Sequence, residues 1–236
     1  MKKLAQITAI SVIVAGLSSV PAQAATFTES DDAGETLSTA QILSTMPMPL
    51  ESISGMLSGD ADLFQIFLTG GQTFSATTVG GADFDTQLFL FDKDGFGVYS
   101  NDESTGSMGQ SMLPMNSPFT PTKSGIYYLG ISGFDYDPVS DKGEIFPDFP
   151  DFPDVAFDAV VGATGFGGDS PLKEFDGAIL SSGGSYTIAL TGVETAGNTS
   201  IPEPSSVLGI LALGALGASR LKNQKNNQKT GNSSAS

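Results

Sequence analysis

Cysteine, histidine and tryptophan are all missing from the 236 residues. Without cysteine there is no disulfide framework, so stability must rest on buried apolar surface and on any ions the fold can hold. Without histidine the commonest general base and the commonest zinc ligand are gone. Ser-His-Asp, Cys-His and histidine-zinc hydrolytic mechanisms are therefore excluded by composition. Paired carboxylates for glycoside hydrolysis remain available. The absence of tryptophan, a frequent sugar-stacking residue, weighs against that use.

Positive charge is the next scarcity: 10 Lys and Arg stand against 26 Asp and Glu. Two of the basic residues, Lys2 and Lys3, open the chain, and Arg220, Lys222, Lys225 and Lys229 lie near its other end. Residues 25–201 keep only Lys93, Lys123, Lys142 and Lys173 against 25 acidic residues, a net charge of −21. Nucleic acid is excluded as an expected partner, because its phosphates would be repelled. Cations and cationic surfaces are attracted, and the same acidity keeps an exported protein soluble.

Long apolar runs occur only toward the two ends. Lys2 and Lys3 precede an apolar stretch from Leu4 to Leu17, and Ala22-Gln23-Ala24 is a small-x-small cleavage site. This is the pattern of a secretory signal peptide over 1–24, with Ala25 the first residue after cleavage. At the other end Pro202-Glu203-Pro204 precedes the uncharged run Val207 to Ala218, and the basic cluster follows. The prolines end whatever comes before them. A helix with no polar face belongs in lipid, where its backbone is satisfied internally. The 15 residues between Pro204 and Arg220 would reach roughly 22 Å at ~1.5 Å per residue. A hydrocarbon core is ~30 Å thick, so the helix spans it only if the bilayer thins or Arg220 and Lys222 snorkel. The basic residues set the C-terminus in the cytoplasm and the preceding chain outside.

This order of tripeptide, short apolar helix and basic cluster resembles the PEP-CTERM sorting signal of Gram-negative envelope proteins, over residues 201–225. The resemblance implies a membrane protease, exosortase, that reads Pro202-Glu203-Pro204, and transient or anchored membrane attachment. It implies export to the cell envelope, surface or extracellular matrix. The polar tail, 226–236, is longer than such signals usually carry.

Residues 25–200 are long enough for one domain with its own core. A short helix or turn is expected at Leu37–Leu43. Strands are expected at Ile53–Leu57, Leu63–Leu68 and Thr73–Val79, the last two joined as a hairpin through Gly70-Gly71. Thr86–Phe91 is apolar on both faces and reads as central in its sheet. Asp92-Lys93-Asp94-Gly95 turns it into Phe96–Tyr99. Ser117–Thr120 reads as an edge, Gly125–Ser132 as a strand, and Gly184–Val193 as a strand with Tyr186, Ile188 and Leu190 inward. Many short strands and almost no helix predict an all-β fold, a single antiparallel β-sandwich. Residues 134–183, with the repeat Pro147-Asp148-Phe149-Pro150-Asp151-Phe152-Pro153-Asp154, read as a solvated flexible loop with polyproline II character, the alternative being that its aromatic rings cap the sandwich or bind a ligand.

Gly59-Asp60-Ala61-Asp62-Leu63-Phe64, Phe84-Asp85-Thr86-Gln87-Leu88-Phe89-Leu90-Phe91-Asp92, Asn101-Asp102-Glu103, Ser124-Gly125-Ile126-Tyr127-Tyr128-Leu129 and Gly184-Ser185-Tyr186-Thr187-Ile188 together resemble a bacterial pre-peptidase C-terminal domain, over roughly 29–193. That resemblance implies a jelly-roll-like sandwich, and in some members calcium. The leading acids Glu29, Asp31 and Asp32 resemble the ligand-bearing segment of calcium-binding members, and Asp60 and Asp62 match the Gly-Asp-x-Asp turn. These five are the expected metal ligands, suited to a hard cation that wants six to eight oxygens at ~2.4 Å. Asp92 and Asp94 are read as turn residues, and Asp83 and Asp85 as solubilising a strand end. The expected function is a non-catalytic envelope or matrix protein whose β-sandwich serves binding or structural roles with calcium as a candidate ion, an extracellular polysaccharide or protein being the candidate ligand. The alternative is a carboxylate-based polysaccharide hydrolase or carbohydrate-binding module. No residue is expected to be catalytic.

Overall fold

Alternating apolar residues in the middle of the chain form strands whose two faces bury into two different cores. A computed structural model describes residues 25–43, 47–148, 151–178 and 183–196. The expected signal peptide and the 201–225 segment fall outside these residues. The described residues are all-β, with no helix long and apolar enough to cross a membrane.

At the centre lie β4 (Ala61–Leu68), β9 (Gly125–Gly133) and β6 (Thr86–Asp92), antiparallel and adjacent. Toward one edge, β4 joins β14 (Gly184–Thr195), which leads to β3 (Pro49–Leu57) and β1 (Ala25–Thr28). Toward the other, β6 pairs with β7 (Gly97–Asn101) and then β12 (Val160–Gly162). Short strands β2 (Gln41–Ile42), β5 (Ser75–Thr77) and β8 (Met112–Leu113) complete the sheet. Most pairs are antiparallel, but β1 with β3 and β2 with β4 run parallel.

The sheet folds over on itself through β14. Its first part pairs with β3, residues 189–191 pair with β5, and 193–195 pair with β4. The change of partner falls at Gly192, whose φ is +69°, where a Cβ would collide with the Thr73 carbonyl. Only glycine takes that conformation in that space without strain. The enclosed core joins Ile53 and Leu57 of β3 and Tyr186 and Ile188 of β14 to Phe64 and Ile66 of β4, Leu129 and Ile131 of β9 and Leu88 and Leu90 of β6. That is the sandwich expected from the strand pattern. Tyr186, Ile188 and Leu190 point inward as expected.

Of the helix or turn expected at 37–43, the turn is what forms: Thr36–Thr39 reverses the chain and leads into β2. Two local expectations fail. Thr73–Val79 makes no hairpin with β4, since β5 pairs with β14 and β8. Two glycines permit a reversal but do not dictate which strand pairs next. Ser117–Thr120 is a turn closed by the Thr120 amide on the Ser117 carbonyl.

The largest correction concerns 134–183, which is no solvated loop. It builds a second sheet from β10 (Tyr136–Ser140), β11 (Gly143–Glu144) and β13 (Glu174–Gly177), and it supplies β12 to the first. Ile145, Phe146 and Phe175 cover Ala61 and Leu63 of β4 and Phe89 and Phe91 of β6. Phe146 sits 5.8 Å from both the Phe89 and the Phe91 ring. This is why β6 reads apolar on both faces. The Phe152 amide donates to the Asp148 carbonyl and the Val155 amide to the Phe152 carbonyl, turn contacts within and at the end of the repeat that polyproline II does not make.

If the insertion is a structural layer, Phe146→Ala should destabilise the protein by about 3–5 kcal/mol, as for other buried aromatics. Denaturant unfolding reads this directly, and a loss under ~0.5 kcal/mol would mark the insertion as dispensable.

Candidate metal centre

Five acids were expected to gather, and the structure brings three of them to one point. Glu29, Asp32 and Asp62 each offer a carboxylate oxygen, and the three oxygens lie within 4.8 Å of one another. Glu29 and Asp32 come from the segment after β1, and Asp62 from the start of β4. They meet because β1 is laid on the edge of β3, with the Glu29 amide donating to the Ser54 carbonyl at 2.7 Å.

Glu29 is held by two backbone amides. Ala33 N–H donates to its Oε1 at 2.9 Å and Met56 N–H to its Oε2 at 3.0 Å. Gly55 makes room for this arrangement, since a Cβ there would collide with the Glu29 carboxylate and the Tyr186 hydroxyl. Asp62 is wholly buried, at 0% exposure. Its Oδ2 accepts a 2.6 Å hydrogen bond from the Tyr186 hydroxyl, while its Oδ1 is buried with no hydrogen-bond partner.

The other two expected ligands stand at the rim. Asp31 and Asp60 line the same cleft of about 680 Å³ as Glu29, Asp32 and Tyr186, but they are not among the three clustered oxygens. Asp60 Oδ1 accepts from the Ser58 amide at 2.9 Å, a turn contact, and Asp31 occupies the left-handed region at φ +59°. Asp92 behaves as a turn residue, accepting from the Asp94 and Phe96 amides.

Burial dominates the electrostatics. It pushes the Asp62 carboxyl up to about 7; the Tyr186 hydrogen bond opposes this, and the charges of Glu29, Asp60 and Asp32 add to it. Burial, with the Asp62 charge and hydrogen bond behind it, also raises the Tyr186 phenol far above its usual range. A site of this kind can take a hard cation: its donors are all oxygen, and one belongs to a desolvated carboxylate with an unpaired oxygen. Sequence reading found Tyr186 as an inward residue but not as the partner of Asp62, because the two lie 124 positions apart.

Reading also passed over two partly buried acids. Burial is the largest cause lifting Asp102 to about 8, with Asp85 and Asp148 adding charge repulsion. It is likewise the largest cause lifting Asp137 to about 7, followed by Asp148. Asp102 follows β7 within Asn101-Asp102-Glu103, one of the stretches quoted above, and its place just after a strand was the available signal.

The described body is thus an acidic, all-β sandwich with a clustered carboxylate site. The chain also carries a sorting address, for residues 200–222 match the PEP-CTERM protein-sorting motif. No curated protein and no solved structure matches the chain. A motif of this kind implies recognition by exosortase, a membrane protease, and export to the envelope or surface of a Gram-negative bacterium.

The raised carboxyls set a pH dependence. In divalent-free buffer the folded protein holds protons on Asp62, Asp102 and Asp137 that the unfolded chain has already released above its ordinary carboxylate range. Stability should therefore fall as pH rises from about 4 to about 8. The expected loss in Tm between pH 5 and 8 is on the order of 10 °C. A Tm that holds level or climbs over that window would contradict the burial of these groups.

Proposed function

We propose that this protein is an exported, non-catalytic component of the cell envelope or extracellular matrix. Its β-sandwich binds calcium through Glu29, Asp32 and Asp62, with Asp31 and Asp60 at the rim. The observation that carries the metal reading is the grouping of three carboxylates, one of them the wholly buried Asp62, which keeps one oxygen without a hydrogen-bond partner. Three acids at such separations repel one another, and among the described residues no lysine forms an ion pair with them. Lys93, Lys142 and Lys173 pair with Asp94, Asp169 and Glu174. A divalent cation supplies the missing charge and fills the open lone pairs. Calcium suits the set better than magnesium, which demands a stricter octahedron at ~2.1 Å.

In this reading the leading 1–24 segment directs secretion, and the apolar helix holds the chain in the membrane until the tripeptide is processed. The acidic body is then displayed outside. Its ligand is a polysaccharide or protein of the surface.

A thermal melt tests the metal. Calcium at a hundredfold its dissociation constant should stabilise by about 2.7 kcal/mol, a rise of roughly 5–10 °C for a domain this size. Asp62→Asn should abolish that part of the response, and Gly55→Ala should weaken it by displacing Glu29. Equal melts with calcium and with chelator would remove the reading.

Sorting has its own test. With Pro202, Glu203 and Pro204 all changed to Ala, mass spectrometry of envelope fractions should find the C-terminal segment still attached and the protein kept in the membrane. Wild-type processing in that variant would show that another signal directs it.

A further inference from the structure

Residues 29–40, which carry Glu29 and Asp32, run from the carboxylate site to the second core. Ala33 is wholly buried in the first core, while Leu37 and Ala40 pack against the second, the one that Phe146 and Phe175 complete. Between these points the segment is tied to β4 on either side of Asp62. The Leu63 amide donates to the Gly34 carbonyl at 3.1 Å, and the Ala61 amide donates to Glu35 Oε1 at 3.2 Å. Asp62 stands between the two contacts, so they set where the leading acids lie against it.

Glu35 also reaches the second sheet. The Tyr136 hydroxyl of β10 donates to its carboxylate, 3.0 Å from Oε1 and 3.2 Å from Oε2. The Tyr136 ring in turn stacks on Phe175 of β13, with centroids 5.9 Å apart. Burial first, and then the Glu35 hydrogen bond and charge, push the Tyr136 phenol up to about 12, so the hydroxyl remains a donor through the neutral range. One carboxylate is thereby shared between the start of β4 and a sheet 101 positions further along the chain. Hydrogen bonds to an ionised acceptor are among the stronger ones a protein makes.

We propose that Glu35 is a positioning residue of the site formed by Glu29, Asp32 and Asp62, and that its bond to Tyr136 couples a cation held there to the seating of the second sheet. The inference rests on the metal reading above. Glu35 is not among the three clustered oxygens; its own are taken up by Ala61 and Tyr136. A cation needs Glu29 and Asp32 beside Asp62, so it favours the arrangement in which 29–35 lies along β4 over any in which that segment has left it. That difference in affinity is what lets binding hold Glu35 in place. The coupling is reciprocal: the factor by which the cation steadies the bond to Tyr136 is the factor by which losing that bond weakens the cation.

The test is a calorimetric calcium titration of the full-length chain in detergent. Tyr136→Phe removes one hydroxyl and no charge, and it should weaken calcium binding about fivefold. Glu35→Gln should weaken it at least as much, and the double variant no further, because both substitutions break the same contact. Glu35→Gln also serves as the second handle should Tyr136→Phe fold poorly. Tyr128→Phe is the control: it removes another hydroxyl of the second core, one that accepts from Gln65, and should leave the dissociation constant unchanged. In the other direction, calcium should slow chymotryptic cleavage at the exposed Phe166 about fivefold in wild type, and less in Tyr136→Phe at saturating calcium. A dissociation constant that Tyr136→Phe and Glu35→Gln both move by less than about twofold, in a protein that binds calcium through Asp62, would overturn this inference and leave the metal reading standing. A wild type that binds no calcium would remove both.

Discussion

Coverage of β4, β9 and β6 on both faces is the constraint from which the remaining architecture follows. Alternate residues along β6 point to opposite cores: Leu88 and Leu90 inward, Phe89 and Phe91 outward. The inward face is met by β3 and β14, folded over at Gly192. The outward face would be an aromatic patch in water unless something lay on it, and burial of each ring is worth on the order of 2–3 kcal/mol. The insertion supplies Ile145, Phe146 and Phe175 for that purpose. A chain without disulfides thereby obtains two apolar layers around one set of strands.

The raised carboxyls are consequences of that layering. Asp62 begins β4 on the side where the β1 segment crosses, and Asp102 and Asp137 lie where the insertion crosses. At each crossing carboxylates leave water, with Tyr186 or Gln87 as the neutral hydrogen-bonding neighbour and, among the described residues, no ion pair to a lysine. Desolvating a carboxylate costs several kcal/mol unless it is paired or protonated, so the fold alone is under electrostatic tension at neutral pH. In the reading proposed above, an exported protein meets a divalent ion that relieves it at Asp62. The few lysines serve elsewhere: three form exposed pairs, of the kind that contribute little to stability.

The sorting motif at 200–222 and the body divide the work. Two prolines and an apolar run address the chain, while the sandwich gathers the carboxylates of Glu29, Asp32 and Asp62.

Much of this was readable from the order of residues alone. The sorting signal is a linear code, so Pro202-Glu203-Pro204, the uncharged run and Arg220 suffice to find it. Strands with period-two burial, such as Gly184–Val193, and the Asp92–Gly95 turn depend on neighbours in sequence, and they too were legible. The family resemblance put the leading acidic segment beside Asp62, and Glu29 and Asp32 do lie next to it. Tertiary structure alone decided which acids meet: Asp32 joins the cluster and Asp31 does not, because a left-handed residue turns the chain between Glu29 and Ala33. It also decided that Tyr186 reaches Asp62, that 134–183 is a packed layer, and that Asp102 is partly buried beneath it. These depend on contacts between residues far apart in sequence, and local pattern carries no information about such distances.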